Sequence, residues 1–490
     1  METFDLPHHG PLVSGRHAFL KEARELLRLG IPLAATQLAQ MIILATDTAM
    51  LGHYSKDALA AAALGNTIYF LAWLLGSGLP FAVSPVIAHI QGEYEAAARR
   101  SAAPNVESEG PRFSVRPRDH RKVRAAARMG LWSVAIATPP LWLFLLFTKA
   151  ILQGLGEDAS LAANAEIFVY GIMAGLPFAL GFQVLRSFST ALSRPLPSLA
   201  VMALAILFNA LGDYALIFGH FGLPQLGILG AGIASACSNI FSFAVMLAII
   251  LSARGLKDYR ILHRLGRWHR PTLAELFRLG LPIGVTMVFE VALFNGATLA
   301  MGAFGTASIA AHQIAITIPS LTFMVPLGIG LAATVRVGMA AGAGDAVGAR
   351  RAGFTAIGLG AIFMCMTALL LLSAPRAIAS LWLPDIAENA GVMALAVRFI
   401  YVAAGFQLFD GLQVTASLSL RGLKDAHWPM WLAGGSYWLA GAPVCALLGF
   451  GFGLQGYGIW LGLAFGLLVA AITLTSRFAL LSKRPIAVEQ

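Results

Sequence analysis

Long apolar runs separated by short polar connections recur along the whole chain, and none shows a two-residue alternation of polar and apolar positions. Runs of ~20 residues suffice to cross a hydrocarbon core of ~30 Å as helices, whereas barrel strands would alternate. The pattern predicts twelve helices, at 30–52, 60–90, 129–150, 163–188, 195–219, 227–252, 277–302, 306–338, 353–374, 388–417, 429–449 and 454–480. Composition points the same way: 58% of the 490 residues are apolar, 12% are charged, and the mean hydropathy is +0.75. A soluble domain is about 25% charged, so the solvent of this chain is expected to be lipid. The opening METFDLPHHG has neither the basic stretch nor the short apolar core of a cleavable signal, so the first helix is expected to act as an uncleaved insertion signal. Cys237, Cys365 and Cys445 fall inside apolar segments without metal-ligand spacing and read as small packing residues.

The net charge of +10 is unevenly spread. Arg and Lys cluster in the N-terminal stretch, between 99 and 128, between 254 and 278, at Arg336, Arg350, Arg351, Arg421 and Lys424, and at Lys483 and Arg484. The alternate connections hold little beyond Lys56, Lys149 and Arg376. By the positive-inside rule both termini are cytoplasmic and the helix count is even. Contact with anionic membrane lipids accounts for the basic face, and nucleic acid is not an expected partner. The one long polar interruption, 101–120, is rich in Pro, Ser, Gly and charge and is expected to be a mobile cytoplasmic loop.

The chain also repeats itself. Residues 25–32, ELLRLGIP, return as ELFRLGLP at 275–282, and Gly52/Gly302 and Gly92/Gly342 keep the 250-residue offset. Phe182-Gln183 matches Phe406-Gln407, and Gly230-Ala231-Gly232-Ile233 matches Gly456-Tyr457-Gly458-Ile459. The expected fold is an all-α membrane protein of two six-helix lobes, related by a pseudo-twofold along the membrane normal. Its parts are a cytoplasmic N-terminal segment (1–29), an N-lobe (30–252), a cytoplasmic linker (253–276), a C-lobe (277–480) and a cytoplasmic tail (481–490). Two lobes around a cleft suit alternating access.

A carboxylate at mid-membrane costs roughly 2.5–3.5 kcal/mol on insertion scales, which makes each one a functional candidate. Four stand out: Asp47, Asp213, Glu290 and Asp410. Asn209 and Asp213 are four residues apart and share a helix face, so with Asp47 they are candidates to converge as a proton or sodium site in the N-lobe. Burial favours the protonated form of a carboxyl and a nearby cation favours the ionised form, so proton and cationic cargo compete for one charge. The repeat duplicates neither Glu290, which aligns with Gln40, nor Asp47, which aligns with Ala297. The competing reading of each acid is a packing or snorkelling residue with a hydrogen-bond partner, and Asn209 could serve as interhelical glue.

These blocks resemble the multidrug and toxic compound extrusion (MATE) family, its NorM-type bacterial branch in particular, from about residue 22 to 482. The resemblance rests on TDTAMLGHYSKDALAAAALG (46–65), LRSFSTALSRPLPSL (185–199), FGLPQLGILGAGIASA (221–236), AAHQIAITIPSL (310–321), RVGMAAGAGD (336–345) and SLRGLKDAHWP (419–429). It implies outward transport of cationic amphipathic drugs against inward H⁺ or Na⁺, without a cofactor, by a monomer in the bacterial inner membrane. It places Asp47, Asn209, Asp213 and Ser235 in an N-lobe ion and substrate site, and Glu290 and Asp410 in a C-lobe coupling site. Either set would be the place for a sodium ion. Pro32 matches a proline linked with bending of the first helix. Met339 stands where Asn or His is frequent in the family, and the 101–120 loop is longer than usual. Which lobe binds the ion, and whether it is H⁺ or Na⁺, stays open.

Two other function classes compete with this reading. A flippase of the same fold, carrying a lipid-linked or polyanionic precursor, should have several Arg or Lys at membrane depth, and the intramembrane charges here read as mainly acidic. An enzyme is not expected, since HExxH, GxSxG and GxxxxGK[ST] are all missing from the sequence. Phe and Met are plentiful (30 and 15) and suit an adaptable cleft wall, but the sequence singles out none as a contact.

Overall fold

The computed structural model describes residues 15–102, 120–383 and 389–484, and most of the 101–120 stretch lies outside them. The helices are α1 (Gly15–Tyr54), α2 (Lys56–Ala102), α3 (His120–Leu146), α4 (Thr148–Gly154), α5 (Ala159–Met173), α6 (Leu176–Ala191), α7 (Leu196–Phe218) and α8 (Gly227–Ser252). They continue with α9 (Arg270–Gly302), α10 (Thr306–Gly342), α11 (Ala346–Ser373), α12 (Pro375–Ala379), α13 (Ala390–Gly422), α14 (His427–Gly434), α15 (Ala442–Ala446) and α16 (Gln455–Leu481). Among the described residues eleven stretches are long and apolar enough to span a membrane, His427–Gly451 counting as one. The twelfth is the pair α5 and α6, bent by 47°.

Three departures from the expected helices have local causes. The segment expected at 163–188 breaks at Gly175, because Pro177 has no N–H to donate and its ring crowds the preceding turn. The span from His427 to Gly451 contains two π-helical stretches, Gly435–Gly441 and Leu447–Gly451, around Pro443. Finally, α1 starts at Gly15 rather than near residue 30, since the polar residues before Gly30 carry no helix breaker. Hydropathy detects only the part of a helix that lipid covers.

The repeat persists in atomic detail. In α1 the Thr36 hydroxyl donates to the Pro32 carbonyl at 2.8 Å, and in α9 Thr286 donates to Pro282 at the same distance. Gly30 meets Gly328 while Gly280 meets Gly78 and its neighbour Leu79, which is one contact seen twice through the 250-residue offset. At Gly78 a Cβ would collide with the Gly280 carbonyl, so only glycine allows this approach of α2 and α9.

Each lobe has its own core. Val83, Ala126, Leu180 and Phe188 belong to the first, and Phe399, Phe406, Tyr437 and Trp460 to the second. A third, small cluster joins them: Leu26, Leu29 and Leu33 of α1 against Ile329, Ala332 and Ala333 of α10 and Ala356 of α11. This seam lies in the halves of α1, α2, α9 and α10 next to the basic connections, where Gly92 and Gly342 also pack across it. On the same face, Arg336 of α10 grips Glu22 of α1 through two bonds of 2.7 and 2.8 Å. Lys424–Glu275 at 2.7 Å and Arg477–Asp425 at 2.6 Å tie neighbouring helix ends there. The other half of α1 is uncovered, with Ile42, Leu44, Ala45, Ala49 and His53 exposed.

The reading of all three cysteines as packing residues is corrected. Cys445 is buried and its thiol points to the Ile459 carbonyl, but Cys237 and Cys365 are exposed on outer helix faces. Their small size was misread as a packing signal, although an apolar helix facing lipid tolerates the same residue.

Candidate functional site

Three helices build the N-lobe cluster. Asp47 comes from the uncovered half of α1, Asn209 and Asp213 from successive turns of α7, and Ser235 from α8. Asn209 and Asp213 are fully buried and Ser235 nearly so, while Asp47 is half-buried at the edge. The Ser235 hydroxyl donates to Asp47 Oδ2 at 3.1 Å. Asp213 and Asn209 also face Asp47 without completing a hydrogen bond. Asp47 Oδ1, both oxygens of Asp213 and both amide atoms of Asn209 are therefore buried with no protein partner. Buried polar atoms are nearly always satisfied, so this concentration of orphans on two facing acids marks a place for a cation or proton. On another face of the same half of α1 opens an apolar hollow of about 1070 Å³, counting its open mouth, lined by Ile42, Ala45, Thr46, Ala49, Met50, His53 and Phe218 and by none of the four cluster residues.

The C-lobe acids are also brought together, but in other company. Glu290 of α9 accepts from the Gln413 amide of α13 at 3.1 Å. Asp410, one turn before Gln413, is 5% exposed and keeps Oδ1 unpartnered. Tyr437, in the first π-helical stretch, is fully buried with its hydroxyl unpartnered, within electrostatic reach of both acids and of Arg421. The Arg421 guanidinium lies near Glu290. Gln413, Tyr437 and Arg421 were not foreseen as site residues. Arg421 had been assigned to a basic connection, whereas it lies inside α13 and turns between the lobes. A side chain points back toward the N-terminus of its helix, so a long Arg near a helix end can reach well into the bundle. Pro32 is half-buried, and α1 runs through it as one helix.

The clusters are only partly repeat partners: α9 is the counterpart of α1 and the span with the π-helical stretch that of α7, but the first cluster adds α8 and the second α13. Both contain carboxylate, amide and hydroxyl groups, but the second also holds the Arg421 guanidinium, and among the described residues no group of three His, Cys, Asp or Glu is placed to hold a metal.

The MatE family model matches residues 32–102, 117–215 and 282–447, well over half of the chain. A protein of Mesorhizobium japonicum named "Probable multidrug resistance protein NorM" is 41% identical over 461 residues, covering 94% of each chain. The eukaryotic MATE transporter AtDTX14 superposes with a TM-score of 0.77 at 22% identity, covering 94% of this chain and 96% of that one. A MATE transporter of the MOP superfamily, solved in an outward-facing conformation, gives a TM-score of 0.79 at 17% identity over 96% of this chain and 98% of that one. With this fold, these spans and this identity along nearly its whole length, the chain is a multi-pass membrane protein that belongs to the MATE transporter family.

Proposed function

We propose that the protein is a secondary active exporter that expels cationic, amphipathic organic compounds in exchange for inward H⁺ or Na⁺. The observation that carries this reading is the N-lobe cluster, where Asp47 and Asp213 face each other beside Asn209 and Ser235 with five polar atoms unsatisfied. Two carboxylates so placed cannot both stay charged without a cation or proton between them. The apolar hollow on the same half of α1 suits the hydrophobic part of an organic cation. The name of the Mesorhizobium relative fits such a cargo.

The basic face is assigned to the cytoplasm, with both termini inside the inner membrane of a bacterium and anionic lipids against it. On that assignment the closed seam of Leu26, Leu29, Leu33 and the Glu22–Arg336 pair is the inner gate, and the uncovered half of α1 lines an outward-open cleft. Alternating access then means parting this seam while the opposite halves close, with Pro32 as a point where α1 can bend. One chain contains both lobes and acts as a monomer.

The test is reconstitution into liposomes with a fluorescent organic cation, imposing ΔpH and a Na⁺ gradient separately. One of the two gradients should drive transport. Cargo movement driven by neither rules out cation exchange.

A second reading, a flippase for an anionic precursor, gains one observation: Arg186 and Arg421 line a cavity between the lobes beside the seam. Competition of lipid-linked anions with the organic cation would favour it.

A further inference from the structure

The seam encloses a narrow cavity of mixed polar and apolar lining, apart from the N-lobe acids and sharing only Arg421 with the C-lobe cluster. Gln183, Arg186, Ser187 and Thr190 of α6 line one side, and Thr334 of α10 and Arg421 of α13 the other. About 370 Å³ of space between atoms, partly open, lies among these groups, and the lining contains two guanidinium groups and no carboxylate. Its free core admits a particle of water to chloride size rather than a drug.

Arg186 is the unusual member. Only 3% of it is exposed, and every residue of α6 from Leu180 to Ala191 is buried, so what room its guanidinium has lies in the cavity. Its one protein partner is an uncharged acceptor, Gln37 Oε1, at 2.7 Å. Among the described residues no carboxylate pairs with it. Arg421 has Glu290 and Tyr437 within electrostatic reach. The Thr190 hydroxyl, 5% exposed, lines the cavity without a partner. A buried cation is tolerated when it is paired and hydrogen-bonded, and five guanidinium N–H donors are too many for one glutamine.

We propose that this interlobe cavity binds a single small anion, of chloride or carboxylate type, held by Arg186 with Thr190 and Arg421. The anion completes the charge balance at the centre of the closed seam, so it bridges α6 of one lobe to α13 of the other. Parting the seam would expose it to the basic side. The proposal stands apart from the identity of the exported cargo, because it concerns groups that contact neither Asp47 nor the apolar hollow.

The experiment is the thermal unfolding midpoint of the purified full-length protein at fixed pH and ionic strength, exchanging sodium gluconate for sodium chloride or sodium formate. A specific anion should raise the midpoint saturably, on the order of 1–2 °C, where gluconate does not. Arg186→Gln should abolish the rise, and Thr190→Val should increase the half-saturating concentration about threefold to tenfold through one lost hydrogen bond. A rise with chloride alone assigns a halide, and a rise with formate as well assigns a site that also accepts the carboxylate of a larger molecule. Equal midpoints in all three salts, or an undiminished rise in the variants, would overturn the proposal. If Arg186→Gln does not fold, bromide-soaked crystals of the unmodified protein decide it, since anomalous density is expected between Arg186 and Arg421 and its lack refutes the site.

Discussion

The acids of the two lobes differ in what surrounds them more than in how deeply they sit. Asp47 and Asp213 face each other, an amide and a hydroxyl, and no guanidinium or ammonium group belongs to their cluster. Glu290 and Asp410 sit with an amide and a phenol as well, but also with Arg421. Removing a charge from water is costly, and the two lobes meet that cost differently. The C-lobe carries its own counter-cation. The N-lobe has to take one from outside, and a site that must import a cation is a site that can transport one. The apolar hollow opens on the same, uncovered half of α1 that carries Asp47, though no acid lines it. For the exchanger proposed above, this contrast favours the N-lobe as the place where ion and cargo meet, with the C-lobe cluster in a supporting role.

The sharpest way to break that contrast is to neutralise one acid in each lobe. Asp47→Asn removes the half-buried carboxylate that both ion and cargo would contact, so cation-driven transport in liposomes should fall by about 100-fold or more at unchanged folded yield. Glu290→Gln should retain activity within roughly a factor of five, because the amide keeps the Gln413 contact and only the internal pair is lost. Equal losses in both variants would place coupling in the two lobes together. Normal transport by Asp47→Asn would move it out of the N-lobe altogether.

The internal counter-cation can be tested by stability. Arg421→Gln leaves Glu290 buried with an amide partner and no positive charge, a change that typically costs about 3–5 kcal/mol for a buried pair. Adding Glu290→Gln should restore most of the loss, read as the unfolding midpoint in detergent. If the double variant is no more stable than Arg421→Gln alone, Arg421 does not balance Glu290.

At the seam the expected effect is smaller. The Glu22–Arg336 pair crosses the lobes with good two-bond geometry and Glu22 is 5% exposed, so it holds the basic side shut more firmly than a surface pair would. Glu22→Gln should shift the balance of states by about tenfold toward opening on that side. In a cysteine-free background carrying Leu33→Cys, labelling from the basic face should quicken by that factor. Unchanged labelling would leave the apolar cluster as the sole lock.

Much of this was legible before the fold was known, and the reasons differ by residue. Asp47, Asp213, Glu290 and Asp410 were found because one charge in a long apolar run is conspicuous. Gly92 and Gly342 were found by their offset, although only the packing reveals that each presses on the other's helix across the seam, Gly92 on Met339 and Gly342 on His89. Arg421 was misjudged because charge counting along a chain cannot tell a guanidinium that faces water from one that turns inward between lobes. Arg186 went unread inside the LRSFSTALSRP block for a related reason: a motif records that a residue recurs, not what it lacks around it. Gln413 and Tyr437 carry no charge, and only the meeting of α9, α13 and the π-helical stretch makes them neighbours of an acid. The break at Gly175 needed the combination of Pro177 with a close partner helix, since many membrane helices pass proline unbroken, as α10 does at Pro319 and Pro326.

The finest test concerns the one completed hydrogen bond of the N-lobe cluster. Ser235 donates to Asp47 Oδ2 at 3.1 Å, which fixes the carboxylate toward α8 and leaves Oδ1 free. Ser235→Ala removes that donor without adding charge or volume. A hydrogen bond to a charged group contributes about 1.5–3 kcal/mol at most, and a long one at a half-exposed acid less, so the concentration of driving cation at half-maximal rate should change by roughly threefold to tenfold with the maximal rate preserved. The direction separates the two ions. If Na⁺ is bound by the ionised cluster, losing an oxygen ligand weakens binding and raises that concentration. If a proton is bound, losing a donor that favours the ionised form makes protonation easier, so the half-maximal point moves to higher pH. No change in either would mean that Ser235 merely packs beside the acid, and the N-lobe site would shrink to Asp47, Asn209 and Asp213.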